Sequence, residues 1–168
     1  MTIPSEAVRT ENRKTPSKRK ASVVRAGTRY QSEQGPDYEP GVSAETVGST
    51  ALFLGMVTLP AGARTRAHVH EHHETALYLV SGGECELWTG DQLQSRHTVR
   101  PGDYIYIPPN VLHVAVNWGK LPAVFMASRN EATAQESVVF YPEMDEKVPL
   151  TPALSSSAAN GSMRSHES

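Results

Sequence analysis

The sequence predicts an all-β protein built as one small sandwich or barrel, and three observations lead to this prediction. Seven short runs rich in β-branched and aromatic residues lie between residues 51 and 142. Turn signals separate these runs, as at Pro60-Ala61-Gly62 and Gly82-Gly83. No segment has the apolar spacing of a convincing amphipathic helix. Short strands at near-regular spacing are typical of a β-sandwich or β-barrel.

The predicted strands follow one another along the chain with few residues between them. They are ALFLGMVTL (51–59), ETALYLVSG (74–82), ECELWTG (84–90), HTVRPGDYIYIP (97–108), HVAVNWG (113–119), AVFMASR (123–129) and ESVVFYP (136–142). Before them, residues 29–49 are rich in Gly, Pro and Ser. This composition predicts a lead-in arm with turns.

The 168-residue chain has room for one domain with a sizeable core, flanked by polar tails. Residues 1–28 are basic and without periodicity, which predicts a disordered arm. Residues 29–148 contain the strands and form the β domain. Residues 149–168 are rich in Ser and Ala, and this low complexity predicts a second disordered tail.

Charge and hydropathy exclude several classes of function. Residues 1–29 carry a net charge of +6, and since the whole chain carries −2, residues 30–168 carry −8. An acidic body argues against a nucleic-acid-binding surface, because phosphate contacts need clustered Lys and Arg. No apolar run approaches the roughly 20 residues of a membrane helix. With Cys85 as the only cysteine, an intrachain disulfide is excluded, and we expect a cytoplasmic protein.

The stretch HVHEHHETALYLVSGG (68–83) contains four of the seven histidines, followed by a glutamate. Imidazole and carboxylate are the ligands that divalent transition metals take most readily. Side chains alternate across a strand, so His68 and His70 share a face, and Glu74 shares it if the chain stays extended. The segment therefore predicts three ligands of a metal site.

His113 is the candidate for the fourth ligand, because one strand cannot surround an ion. It opens the predicted strand HVAVNWG after the turn at Pro108-Pro109-Asn110. The two prolines restrict the backbone there and place His113 at a strand start. Three imidazoles and one carboxylate leave coordination positions free for water or substrate, which is typical of a reactive site.

Two segments resemble the two conserved motifs of the cupin family. Gly62-(five residues)-His68-Val69-His70-(three)-Glu74, closed by Gly82, resembles the first, with one residue more between Glu74 and Gly82 than is commonest. Pro101-Gly102-(five)-Pro108-Pro109-Asn110-Val111-Leu112-His113-(three)-Asn117 resembles the second, with Asn110 in place of a turn glycine. The resemblance covers about residues 48–130 and is to small, single-domain, RmlC-like cupins of the type-2 group.

This resemblance implies a jelly-roll β-barrel in which His68, His70, Glu74 and His113 bind one divalent metal ion. Iron or manganese is favoured, and zinc, nickel or copper fits the same ligands. The resemblance also favours a metal-dependent enzyme that acts on a small carbonyl, acid or phenolic compound. The expected reaction is that of a dioxygenase, or that of an isomerase or lyase. Glu74 is expected as a ligand or, on detaching, as a catalytic base. The alternative is a non-catalytic metal-bound protein that binds or senses a small ligand.

Other residues near the motif have less specific patterns. His72 shares the ligand parity and is expected beside the site, orienting a ligand or lining its rim. Tyr78 has the parity of Glu74 and is expected to line the cavity, whereas His73 has the opposite parity and is expected to point away. Small cupins often pair through an edge strand, so the resemblance also implies a homodimer.

Overall fold

The computed structural model of the chain describes residues 20–25 and 27–149. The predicted C-terminal tail beyond residue 149 and most of the predicted N-terminal arm lie outside the described residues. No helix in these described parts is long and apolar enough to cross a membrane.

The described chain folds into eleven strands, one four-residue helix and one 3-10 helix. The strands are β1 (Tyr30–Gln31), β2 (Asp37–Val42), β3 (Phe53–Leu59), β4 (His68–Val69), β5 (Thr75–Ser81), β6 (Cys85–Thr89), β7 (Ser95–Val99), β8 (Tyr104–Ile107), β9 (His113–Val116), β10 (Ala123–Arg129) and β11 (Val139–Phe140). Helix α1 spans Ala44–Val47 between β2 and β3, and the 3-10 helix spans Pro142–Lys147 at the C-terminal end.

The strands form two antiparallel sheets. The six-stranded sheet has the order β1-β2-β3-β10-β5-β8, and the five-stranded sheet has the order β11-β4-β9-β6-β7. Consecutive strands repeatedly cross from one sheet to the other, as β4 and β5 do. The sheets do not close into one continuous ring, but their arrangement is that of a jelly-roll barrel, so the predicted all-β fold is confirmed.

Alternation along the strands divides inward-facing from outward-facing side chains. On β3 every second residue is buried, from Phe53 to Leu59, as expected for a strand with one face on the core. The main core lies between the sheets and includes Val57, Leu79, Leu87 and Phe125. Burial of this apolar surface is the chief stabilising contribution to the barrel.

A second apolar cluster covers the outer face of the five-stranded sheet. Trp88 on β6 and Val114 on β9 point away from the barrel interior and pack with Met144 of the 3-10 helix and Val148. The C-terminal segment therefore shields one sheet from water, and it leaves His113, the neighbour of Val114, facing the interior.

Most predicted strands are observed, with three differences. The run 97–108 is two strands, β7 and β8, because Arg100–Asp103 make a turn in which the backbone N–H of Asp103 donates to the carbonyl of Arg100. The run 136–142 contributes only the two residues of β11. The lead-in arm contains β2, which pairs with β3 and extends the larger sheet.

Candidate metal centre

Two short strands bring two histidines together. β4 pairs with β9 so that His68 and His113 are direct cross-strand partners. Both side chains are buried, and their ring centroids lie 4.2 Å apart. Cross-strand partners on one face are the closest neighbours that a sheet provides, so the pairing register itself places two imidazoles at the barrel interior.

His70 follows β4 and is held beside this pair by the turn before β9. The backbone N–H of Asn110 donates to the carbonyl of His70 across 2.7 Å. Asn110 has a φ of 62°, a conformation that Asn tolerates better than most residues. The His70 ring centroid lies 5.0 Å from that of His68 and 4.9 Å from that of His113.

Backbone carbonyls orient two of the three imidazoles. Nδ1 of His68 lies 2.7 Å from the carbonyl oxygen of Arg66, and Nδ1 of His113 lies 2.8 Å from that of Val111. A carbonyl only accepts, so Nδ1 carries the hydrogen in both rings and Nε2 is left with a lone pair. Such hydrogen bonds are typical of histidines that bind metals.

The electrostatics of the barrel interior keep these imidazoles neutral. Burial lowers the pKa of His68 well below its usual range, and the neighbouring His113 and His70 lower it further. Burial also lowers the pKa of His113. Burial lowers the pKa of His70 to about 3, although the carboxylate of Glu136 acts in the opposite direction. A neutral imidazole is the form that binds a metal ion.

The three histidines form a donor set that fits a divalent transition metal. One ring nitrogen from each of His68, His70 and His113 lies within 4.8 Å of the other two. Nitrogen ligands bound at about 2.0–2.1 Å are separated by roughly 3.3 Å in a tetrahedral site, so small side-chain adjustments suffice to close the group on an ion. All three residues are buried.

Glu74, the predicted carboxylate ligand, does not lie with these histidines. It is exposed, its Oε1 accepts a hydrogen bond from the Tyr106 hydroxyl at 3.1 Å, and its backbone N–H donates to Asn130 Oδ1. The chain bends at Glu71 and His72, so the parity expected for an extended strand does not continue from His70 to Glu74. Glu74 therefore lies outside the group formed by His68, His70 and His113.

The register of β5 explains the outward position of Glu74. Thr75, Leu77 and Leu79 are the residues of β5 that face the interior, so Glu74 points outward. Thr75 takes the inward position and is buried, and its Oγ1 has no hydrogen-bond partner among the described residues. The additional residue between Glu74 and Gly82 is the sequence signal of this shift.

His72 and Tyr78 also lie away from the three histidines. His72 lies in the bend with 79% of its side chain exposed, 3.8 Å from Oε2 of Glu71, and so it does not line the site. Tyr78 has the outward parity of Glu74 and packs on Tyr104, with ring centroids 4.8 Å apart. The sequence placed both residues by counting alternate positions onward from His70. The bend at Glu71 and His72 interrupts that alternation.

Two residues of the site were missed by the sequence analysis. His73, expected to point away, is 1% exposed, with its ring centroid 4.5 Å from that of His70. Glu136, in the segment between β10 and β11, is 5% exposed, with Oε2 3.3 Å from Nε2 of His73 and 3.4 Å from Nδ1 of His70. His70, His73 and Glu136 form a second group with ligand atoms within 4.8 Å of one another.

A small cavity adjoins the histidines inside the barrel. Its volume is about 60 Å³, and His68 and His113 are among its lining residues. Apolar side chains from both sheets form most of the wall, while Gln34, Tyr38 and Thr65 contribute polar groups. Since one water needs roughly 10–15 Å³, the cavity holds roughly four water-sized groups.

Part of the folded body is similar to a known protein family. Residues 55–128 match the family model described as "Cupin domain", and these residues include most of β3, all of β4 to β9 and nearly all of β10. This segment of the chain therefore matches the cupin family, which confirms the resemblance seen in the sequence. No curated protein matches the chain.

Solved structures with the same fold are similar to most of the described body. A protein with a double-stranded β-helix domain from Klebsiella pneumoniae has 20% identity and a TM-score of 0.52, over 66% of this chain and 89% of that one. Oxalate decarboxylase from Lactobacillus farciminis, in complex with formate, has 16% identity and a TM-score of 0.57, over 73% of this chain and 36% of that one. A variant of oxalate decarboxylase from Bacillus subtilis has 22% identity and a TM-score of 0.56, over 73% and 32%.

Proposed function

We propose that this cupin domain binds one divalent transition-metal ion through His68, His70 and His113 and acts on a small organic molecule inside the barrel. The observation that carries the proposal is the convergence of three buried, neutral imidazoles, two of which, His68 and His113, line an interior cavity. Burying the free lone pairs of neighbouring neutral imidazoles is costly without a group that accepts them, and a metal ion removes that cost.

The residues around the ion have distinct roles in this proposal. His68 and His113 are held with Nε2 free by the carbonyls of Arg66 and Val111. The apolar side chains that line the cavity, Val57 and Phe125 among them, exclude bulk water. Electrostatic interactions inside the cavity are stronger for that reason. A bound divalent ion supplies Lewis-acid polarisation of a substrate oxygen and lowers the pKa of a bound water.

The size of the cavity limits the substrate class. Roughly four water-sized groups correspond to a compact acid or carbonyl compound. The oxalate decarboxylases that share the fold act on a small dicarboxylate, and one of them is in complex with formate. We therefore propose small carboxylic acids as the first substrates to test, with decarboxylase, lyase or oxidative cleavage chemistry as the reaction types.

Iron and manganese are the ions that we propose first, with zinc, nickel and copper as alternatives, since imidazole ligands suit all of these metals. With Glu74 outside the cluster, the protein ligands of this proposal are three neutral nitrogens. A site with three protein ligands keeps the remaining positions open for water and substrate.

Elemental analysis of the purified protein tests the metal proposal. We expect about one transition-metal ion per chain in the wild type, a large loss in His113→Ala, and no loss in His72→Ala, whose histidine is exposed. A wild-type protein that neither retains nor rebinds any of the five metals would contradict the proposal.

Turnover assays on the metal-loaded protein then separate an enzyme from a binding protein. We expect oxalate, other small acids or diketones to be consumed by at least one metal form, with oxygen uptake if the reaction is oxidative. Binding of these compounds without turnover by every metal form would favour the alternative, a metal-bound small-ligand binding or sensor protein.

We also propose that the protein is a cytoplasmic homodimer. Exposed apolar side chains on the outer face of the larger sheet support the dimer, namely Val80, Tyr104, Tyr106 and Met126. Large exposed apolar residues grouped on one face are typical of an interface. We expect dimers of the wild-type protein in sedimentation velocity and monomers of Tyr104→Ser/Met126→Ser; a monomeric wild type would contradict the proposal.

A further inference from the structure

We propose that Glu136, outside both cupin motifs, is a positioning residue for the metal centre, which fixes the imidazole of His70 by accepting from its Nδ1–H. This inference rests on the proposed function, since it concerns the site formed by His68, His70 and His113. It assigns to the segment between β10 and β11 a part in metal binding that neither motif supplies.

The Glu136 carboxylate is held firmly in place by other side chains. Its Oε1 accepts hydrogen bonds from Nε2 of Gln34 at 2.6 Å and from the hydroxyl of Tyr38 at 2.7 Å. Nη1 of Arg129 lies 3.8 Å from Oε2, and both residues are buried. Oε1 is therefore fully engaged, and Oε2 is left to face the histidines.

The environment keeps this carboxylate ionised. Two donors, Nε2 of Gln34 and the hydroxyl of Tyr38, point at its Oε1, and the guanidinium of the buried Arg129 lies 3.8 Å from Oε2, which is the environment of an anionic carboxylate. An ionised carboxylate only accepts hydrogen bonds. A ring nitrogen that faces it is therefore the one that carries a hydrogen.

His70 is the ligand whose orientation is otherwise unsupported. Its Nδ1 is buried and makes no hydrogen bond with the described residues, but Oε2 of Glu136 lies 3.4 Å away, so a small rotation of the ring makes the hydrogen bond that we propose. In His68 and His113 the equivalent nitrogen faces a backbone carbonyl. Glu136 gives His70 the same kind of support, and all three rings then present Nε2 to one point.

A carboxylate acceptor changes the metal-binding imidazole in a way that a carbonyl acceptor does not. A charged acceptor behind a metal-binding imidazole fixes the ring and raises the basicity of the nitrogen that binds the metal. With Glu74 on the outer surface, Glu136 is the ionised carboxylate that lies beside the three-histidine group. Its charge offsets part of the charge of a divalent ion.

Two alternative roles of Glu136 fit the geometry less well. Glu136 groups with His70 and His73, whereas the set of His68, His70 and His113 does not include it, so it lies behind His70 rather than among the converging Nε2 atoms. A second cation between His70, His73 and Glu136 would lie close to the guanidinium of Arg129. It would also require both nitrogens of His70 to bind metal at once.

Zinc affinity, measured by competition with a chromophoric chelator, tests this proposal. We expect Glu136→Gln to bind zinc about 10- to 100-fold more weakly than the wild type, the usual effect of removing such a partner. Glu74→Gln, which removes an exposed carboxylate, should bind as the wild type does. A role in folding alone would lower the thermal midpoint of the metal-free variant and leave its zinc affinity unchanged, which would overturn the proposal.

A measurement on the wild-type protein decides the question even if Glu136→Gln does not fold. In cadmium-loaded protein with isotope-labelled histidines, we expect one-bond cadmium–nitrogen coupling on Nε2 of His70 and a hydrogen on Nδ1. Coupling on Nδ1 of His70 would overturn the proposal. Failure of the wild type to bind zinc would instead contradict the proposed function.

Discussion

His68 and His113 face each other directly across the β4/β9 strand pair, with ring centroids 4.2 Å apart and both side chains buried. Two neutral imidazoles in this position become mutually repulsive when protonated. The same relationship therefore governs both metal binding and the response of the fold to acid.

The stability of the metal-free protein is expected to fall as the pH falls from about 6.5 towards 5. The pKa values of His68, His70 and His113 are lowered in the folded state, so the unfolded chain binds more protons in this window. Each histidine then contributes a loss of up to roughly 2 kcal/mol at pH 5. Urea unfolding at several pH values measures this loss.

The contribution of Glu136 falls in a different pH range from that of the histidines. Its lowered pKa stabilises the fold above about pH 4.5, and this effect is lost only as the pH falls below that value. His113→Ala should weaken the dependence between pH 6.5 and 5, and His72→Ala should retain it. Equal slopes in wild type and His113→Ala would contradict the assignment of buried, neutral imidazoles.

Removal of the buried partner of Glu136 is expected to destabilise the protein strongly. Arg129 is 3% exposed, and its Nη2 also donates to the carbonyls of Thr133 and Ala134. Arg129→Met should cost about 3–5 kcal/mol, because it leaves a buried carboxylate without its cation. The matched control is Arg29→Met, whose exposed pair with Glu39 is worth about 0–1 kcal/mol. Equal free energies of unfolding for the two variants would contradict the buried-pair interpretation.

The turn at Asn110 offers a test of how the second motif is held. Since Asn110 has a φ of 62° and its backbone N–H bonds to His70, Asn110→Gly should keep the geometry at little cost. Asn110→Ala should lose about 1 kcal/mol, because alanine is strained in this conformation. Chemical denaturation of both variants measures the difference, and an alanine variant as stable as the glycine variant would argue against the strain.

The sequence predicted the three histidines because each signal for them is local. Strand parity relates His68 to His70 over two residues, and the proline turn places His113 at the first residue of β9. Alternation and turn residues likewise predicted β10 with its observed bounds and β3 to within two residues. These features depend on neighbours in the chain, which is why sequence patterns report them.

The carboxylate of the site was not predicted, because its position depends on contacts between distant parts of the chain. Glu136 reaches His73 from 63 residues away in the sequence, out of an irregular segment without periodicity. Glu74 was misplaced because a two-residue bend interrupts the parity count. Leu79 and Leu77 face the interior on β5, so counting back by two gives Thr75 as the next inward position. Glu74, the residue before it, is then an outward residue.

Filling the cavity is expected to separate metal binding from ligand binding. Ala115 lines the cavity beside His113, so Ala115→Leu should occupy the space while the three imidazoles remain. Cobalt-loaded wild-type protein should change its visible spectrum on addition of formate or oxalate, and cobalt-loaded Ala115→Leu should not. Ala76→Leu, at an exposed position of β5, is the matched control. An unchanged response in Ala115→Leu would show that small acids bind elsewhere.

The most direct test of the metal centre is an anomalous difference map from crystals of the native protein, recorded above and below the absorption edge of the metal found by elemental analysis. We predict one peak inside the barrel, about 2.0–2.2 Å from Nε2 of each of His68, His70 and His113. A peak between His70, His73 and Glu136, a peak at Glu74, or no peak in metal-replete crystals would contradict the account.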